Sequence, residues 1–204
     1  MTESLEPVLV LAPHMDDEVL GCFSFLTRAA HVLWFGVEPF HGVNREERIS
    51  EGHAVSQATG FTYSLCEERV NHYREADLLG HIEERLLVMK AGTVLLPRPS
   101  YNQDHRAVFE AGFTACRPHD RLPFVKRVMV YDQLHASLWP REPFRANYFQ
   151  PIDMEAKLKV WHLHASQNRG HRSDDLLRSH ARFRGQQAGL EDAEAFEVLR
   201  WVGT

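Results

Sequence analysis

The chain has 204 residues, of which 44% are hydrophobic and 25% charged, a composition typical of one globular domain with a sizeable core. Lys and Arg number 23 against 28 Asp and Glu, so the net charge is −5, and without a basic stripe nucleic acid is not a favoured partner. No stretch approaches the ~18 apolar residues of a membrane span, and the N-terminus lacks a signal-peptide pattern. Cys22, Cys66 and Cys116 are too few and too scattered for a disulfide framework, which favours a cytoplasmic location.

Short apolar runs alternate with amphipathic stretches along the chain. Residues 8–12 form an apolar run closed by Pro13, as in a strand buried on both faces. Asn44 is a favourable N-cap and Gly60 stands at a C′ position, which predicts a helix between them. In chain order we predict strand 8–12, helix 16–30, strand 31–37, loop 39–42, helix 44–59, strand 62–66, helix 76–90, strand 93–96, helix 105–116, strand 125–131, a long loop 135–150 and helix 153–166.

Strands separated by helices indicate βαβ units with right-handed crossovers. The expected fold is therefore α/β: a single Rossmann-like, three-layer domain over residues 1–204, with a mainly parallel sheet flanked by helices. Ligands on such sheets bind at the carboxyl ends of the strands.

One polar cluster follows the first predicted strand directly. It contains His14, Asp16, Asp17 and Glu18, and three neighbouring acids are costly to bury unless a cation or hydrogen bonds compensate them. The alternative is structural, because acids in the first turn of a helix favour its dipole and cap its amides.

A second polar cluster follows the strand at residues 93–96. It includes Tyr101, Asn102, Asp104 and His105. His105 by itself would more often be a surface histidine or one satisfied by packing, so its interpretation depends on the first cluster.

Together the two clusters resemble the PIG-L/LmbE family of zinc-dependent N-acetylglucosaminide deacetylases, whose signatures read Pro-His-Pro-Asp-Asp-Glu and His-Pro-Asp-His. The resemblance extends over nearly the whole chain in the same order. Its further elements are Arg48-x-x-Glu51 with Ala54 and Gly60, Lys157 with His164-Ala-Ser-Gln167, Arg184-Gly185, and Ala193-Glu-Ala-Phe196.

The resemblance implies that His14, Asp17 and His105 bind one Zn²⁺ per chain and that Asp16 is the catalytic base. Two imidazoles and one carboxylate leave a tetrahedral zinc with an open position for water, whose pKa would fall toward ~7. Asp16 would take the proton as water attacks the acetyl carbon and pass it to the leaving amine. The implied activity is removal of the N-acetyl group from an N-acetylglucosamine-type amino sugar conjugate.

The sequence departs from the family pattern at several places near the site, one of them being Phe23 and Ser24, which stand where the family commonly has glycines. Met15 replaces a proline, which removes no chemistry, and Asn102 replaces the first histidine of the second signature. Asn102 can donate a hydrogen bond to the reaction's oxyanion but brings no positive charge, although its presumed partner Asp104 is retained. The family suggests a substrate contact for Arg48, which could equally form an ion pair with Glu51.

Two other functions stay open: a zinc amidase acting on a non-sugar acylated amine, and a binding or regulatory protein with weak or no turnover. The expected partner is a small-molecule N-acetylated amino sugar conjugate, and a homo-oligomer is possible. His164, Ser166 and Gln167 are expected to support the site indirectly. The basic stretch 169–184 is expected to be a solvated surface, and Glu18 either starts a helix or supports His14.

Overall fold

The structure is a computed structural model, and it describes residues 6–37, 42–118, 120–140 and 142–203. Apart from Gly42, the predicted loop at residues 39–42 lies outside these ranges.

A seven-stranded sheet forms the centre of the fold. Its strands are β1 (Val8–Ala12), β2 (Ala30–Trp34), β3 (Thr62–Leu65), β4 (Thr93–Pro97), β5 (Arg127–Tyr131), β6 (Tyr148–Pro151) and β7 (Ala193–Trp201). The spatial order is β3-β2-β1-β4-β5-β7-β6. The first five strands are parallel, whereas β7 is antiparallel to both β5 and β6. The predicted α/β fold with a mainly parallel sheet is therefore confirmed.

Helices cover both faces of this sheet. They are α1 (Asp17–Cys22), α2 (Arg45–Thr59), α3 (Glu75–Met89), α4 (Gln103–Ala115), α5 (Leu134–Leu138), α6 (Met154–Trp161) and α7 (Asp174–Gln187). Successive side chains of a strand point to opposite faces, so Val10 packs with Trp161 in one core while Leu11 packs with Ile82 and Val108 in the other. Two separate hydrophobic cores thus hold three layers together.

The predicted helix between Asn44 and Gly60 is confirmed. Asn44 Oδ1 accepts the backbone N–H of Glu47 at 2.8 Å, and Gly60 ends α2 with a φ of 89°, a left-handed conformation that favours glycine. Both ends of this helix depend on local chemistry.

The predicted helix 16–30 is too long. α1 ends at Cys22 and a 3-10 turn covers Phe23–Phe25, because the Glu194 carboxylate accepts the backbone N–H groups of Phe23 and Ser24, each at 2.9 Å. Lys157 Nζ is bonded to Glu194 at 2.7 Å and also to the carbonyl oxygen of Leu20 at 2.9 Å. Contacts from distant parts of the chain therefore end this helix.

The predicted loop 135–150 is partly regular, since it contains most of α5 and the first residues of β6, which pairs with β7. The helix predicted over 153–166 ends at Trp161, and a 3-10 turn follows at Ala165–Gln167. Within the described ranges, none of the helices has the length and apolar character needed to cross a bilayer.

The order of the strands brings the two polar clusters together. β1 lies between β2 and β4, so the connections from β1 and β4 leave the carboxyl edge of the sheet side by side, where the strand order reverses. The first connection enters α1 through His14 and Asp16, and the second enters α4 through Asn102.

Candidate metal centre and active site

His14, Asp17 and His105 form a compact cluster at this edge. One potential ligand atom from each residue lies within 4.8 Å of the others, and this is the one such group of three or more among the described residues. Asp17 Oδ2 lies 3.4 Å from His14 Nδ1 and 3.3 Å from His105 Nε2. Gln133 donates from Nε2 to Asp17 Oδ1 at 2.7 Å, which leaves Oδ2 facing both imidazoles.

The donor set of this cluster fits a zinc ion. Two imidazole nitrogens and one carboxylate oxygen are the ligands of many catalytic zinc sites, and they leave a coordination position for water or substrate. Asp17 and His105 are almost completely buried, and His105 Nδ1 has no hydrogen-bond partner. A divalent cation bound here would compensate the buried charge of the Asp17 carboxylate.

The cluster has a strongly perturbed electrostatic balance. Burial disfavours the charge of Asp17, but His105 and His14 outweigh burial and hold the Asp17 pKa well below its usual range. Burial also opposes protonation of His14, but hydrogen bonds to Asp104 and Asp17 raise its pKa to about 9. For His105, burial dominates and lowers the pKa.

Asp104 lies behind His14. Its Oδ2 is 3.0 Å from His14 Nε2 and accepts the backbone N–H of Asn71 at 2.7 Å. The Asp104 side chain is completely buried. A carboxylate in this position fixes the orientation of a metal-binding imidazole. The sequence suggested Asn102 as the partner of Asp104, but the Asp104 carboxylate contacts His14 instead.

Asn102 is the N-cap of α4. Its Oδ1 accepts the backbone N–H of Asp104 at 2.8 Å, which satisfies one of the open donors of the first helical turn. This bond leaves the Asn102 Nδ2 group as the donor available to a ligand.

Asp16 has an unusual backbone conformation, with φ 150° and ψ −23°. Such values are rare for a residue with a Cβ atom and persist where the surroundings enforce them. Glu18, completely buried, accepts the Asp16 N–H at 3.1 Å. Glu18 itself is bonded to Trp34 Nε1 at 3.0 Å and to His164 Nε2 at 2.9 Å. Glu18 and His164 thus fix the backbone of Asp16, and Glu18 supports Asp16 rather than His14.

Arg48 also holds the connection between β1 and α1 in place. Its guanidinium donates to the backbone oxygen of Met15, to Glu51 Oε2 at 3.0 Å and to Ser166 Oγ at 3.2 Å. Ser166 in turn donates to Glu51 through both its backbone N–H and its hydroxyl, at 2.7 Å each. The predicted ion pair with Glu51 exists, and it is buried rather than on the surface.

A cavity of about 230 Å³ opens beside these groups. Its lining includes His14, Asp16, Arg48, Asn102, Arg169 and Arg172. The predicted site residues Asp17, His105 and Asp104 lie behind this lining, close to His14.

Two residues that sequence reasoning missed belong to this site. Arg172, from the 3-10 turn Gly170–Arg172, forms an ion pair with Asp16 Oδ2, and its side chain is only 17% exposed. This part of the basic stretch is therefore not a solvated surface. Gln133 donates a hydrogen bond to Asp17. The one feature of the sequence that could have indicated this role is its position just after β5, because the carboxyl ends of the strands face the site.

His135 also lies next to the cluster. Its ring meets that of His105 edge to face, with centroids 5.1 Å apart, and its Nδ1 is buried without a hydrogen-bond partner. Burial, reinforced by His105, lowers the His135 pKa to about 3. His135 is therefore a neutral group beside a predicted metal ligand.

A buried ionic network supports the neighbouring strand end. Asp132 accepts hydrogen bonds from Arg98 at 2.8 Å, from Arg184 at 2.9 Å and from His180 at 3.0 Å. Burial opposes ionisation of Asp132, but the hydrogen bond from His180 and the charges of Arg184 and Arg98 outweigh burial and lower the Asp132 pKa to about 2. This network joins the ends of β4 and β5 to α7.

The sequence matches no protein-family model, and no curated protein is similar to it at the level of sequence. Solved structures show the fold clearly. A conserved protein from Thermus thermophilus matches with a TM-score of 0.80 and 21% identity, covering 98% of this chain and 97% of that one. The N,N'-diacetylchitobiose deacetylase from Pyrococcus horikoshii matches with a TM-score of 0.77 and 18% identity, covering 95% and 84%.

The same fold also carries other chemistry. GalB, the 4-carboxy-2-hydroxymuconate hydratase from Pseudomonas putida, matches with a TM-score of 0.73 and 15% identity, covering 98% of each chain. At such identities the likeness establishes the α/β fold of this chain, and the function has to be argued from the site.

Proposed function

We propose that this protein is a zinc-dependent hydrolase that removes the N-acetyl group from an N-acetylglucosamine-type amino sugar conjugate. The observation that carries the proposal is the His14–Asp17–His105 cluster, which lies beside Asp16 at one cavity on the carboxyl edge of the sheet. The resemblance of the motifs to sugar deacetylases and the fold shared with a chitobiose deacetylase support it.

The chemistry follows from the residues around the cavity. A Zn²⁺ ion held by His14, Asp17 and His105 would polarise the acetyl carbonyl and make a water molecule more acidic. Asp16 accepts the proton of the attacking water and then delivers it to the nitrogen of the leaving amine. Asn102 donates from Nδ2 to the carbonyl oxygen as negative charge develops there.

Other groups keep these reacting groups in place. We propose that Asp104 orients His14 and that Gln133 orients Asp17, as hydrogen-bond partners of metal ligands commonly do. Arg48 holds the connection between β1 and α1 through Met15, and it also lines the cavity, where a sugar hydroxyl can reach it.

We also propose a cytoplasmic location for this protein. All three cysteines are unpaired in the structure, in keeping with a reducing cytoplasm. A homo-oligomer stays a prediction.

The test is release of free amine from a panel of N-acetyl sugar conjugates and acetylated non-sugar amines, with zinc present. We expect turnover of the sugars, and Asp16→Asn should lower kcat by about 10²–10⁴-fold while zinc stays bound. Asp175→Asn, an exposed change in the first turn of α7, is the matched control. Turnover of non-sugar amines alone would favour the amidase alternative, and no turnover would favour a binding protein.

A further inference from the structure

Arg172 has a position in the site that the proposed reaction does not yet use. One Nη atom of its guanidinium pairs with Asp16 Oδ2, and its Nε is buried without a partner. It lines the same cavity as Asn102 and His14.

The proposed reaction would be favoured by a positive charge in this cavity. A tetrahedral oxyanion forms when water adds to an amide, and a charged donor stabilises it about twice as strongly as a neutral donor. Asn102 is neutral, and its oxygen is committed to the cap of α4.

Three arginines line the cavity, but their contacts differ. Arg48 is bonded to Glu51, Ser166 and Met15, so it is committed to the framework. Arg169 donates to Gln167 Oε1 at 2.9 Å. Arg172 is the arginine whose contact is made to the proposed catalytic base itself.

We infer that Arg172 is a catalytic residue: while one Nη holds Asp16, the remaining guanidinium donors give the reacting carbonyl oxygen the charge-assisted hydrogen bond that Asn102 cannot provide. This inference rests on the proposed deacetylation. Arginine suits the role because its five donors form a rigid planar fork and its charge is permanent.

The kinetic test compares Arg172→Gln and Arg172→Lys with wild type. Arg172→Gln should lower kcat by about 10²–10³-fold, as expected for losing an oxyanion donor, with a much smaller change in KM. Arg172→Lys should recover at least about tenfold, because it keeps the charge. The matched control is Arg178→Gln, which removes an exposed arginine of α7 that is paired with Glu155 of α6. Equal kcat for Arg172→Gln and Arg178→Gln would overturn the inference.

A second substitution tests the exchange of roles directly. Asn102→His introduces an imidazole that can carry a charge near neutrality. In the Arg172→Gln background, Asn102→His should raise kcat by at least about tenfold, and by less in the wild-type background, because the two cations serve the same oxygen. Additive effects of the two changes would count against the inference.

Two measurements do not depend on turnover. Zinc affinity of Arg172→Gln should be unchanged or tighter, since a cation near the metal is removed; loss of zinc would instead indicate a structural role and overturn the inference. Acetate, the anionic product, should bind the zinc-loaded Arg172→Gln variant at least about tenfold more weakly by calorimetry. If acetate binds this variant more weakly but the wild type releases no amine, Arg172 is a donor to an anionic oxygen and the proposed deacetylation is wrong. If acetate binds the variant and the wild type equally well, Arg172 is not such a donor.

Discussion

Asp104→Asn tests whether the carboxylate behind His14 contributes to metal binding. The variant keeps the size of the side chain and an oxygen that can still accept from His14 Nε2 and from the backbone N–H of Asn71. What it removes is a negative charge from a completely buried position. We therefore expect weaker zinc binding in a protein that still folds.

The magnitude follows from the geometry. The His14–Asp104 contact is 3.0 Å long, so the carboxylate makes a charge-assisted hydrogen bond to the imidazole proposed to bind zinc. The remaining amide oxygen retains part of this interaction. We expect a loss of about 1.4–2.8 kcal/mol, which corresponds to a 10- to 100-fold rise in the Kd for zinc.

The assay is a zinc titration against a chromophoric chelator at constant neutral pH. Asp77→Asn is the matched control, because Asp77 also lies in the first turn of a helix but is exposed, so both variants lose a carboxylate that faces a helix N-terminus. Equal zinc affinity for the two variants would show that Asp104 does not support a metal ligand. A loss of zinc together with a large fall in thermal stability would point to folding instead.

Three further predictions concern the cluster, the cap and the buried ionic network. His105→Ala should abolish zinc binding, and full occupancy by metal analysis would show that the ligand assignment is wrong. Asn102→Ser keeps a capping oxygen but removes the amide donor, so kcat should fall about 10²-fold while the melting temperature changes little; an unchanged kcat would place this residue outside the reaction. Asp132→Asn leaves Arg98 and Arg184 buried against a neutral group, which should lower the free energy of unfolding by about 3–5 kcal/mol. Since the pKa of Asp132 falls from 3.8 to about 2 on folding, the free energy of unfolding of the wild type should drop by about 2.5 kcal/mol as pH falls from about 4 to below 2 in urea melts. The same decline in Asp132→Asn would contradict the assignment.

The sequence by itself determined those features that depend on neighbours along the chain. The apolar run at Val8–Ala12 predicts β1 because a strand buried on both faces needs apolar side chains at every position. Asn44 and Gly60 set the ends of α2, since a cap and a left-handed residue act within one helical turn. Polar residues after β1 and β4 indicated the site, because parallel strands meet at one edge.

Only the tertiary structure decided features that depend on distant residues. α1 ends early because Glu194, 171 positions away from Phe23, satisfies the amides beyond its last turn. Asp104 contacts His14 across 90 positions, and Arg172 reaches Asp16 across 156. Neither contact can be predicted from a local sequence pattern. A buried charge is stabilised by the partner that the fold brings within hydrogen-bonding distance. The packing of the layers, rather than the spacing along the chain, determines which residue that partner is.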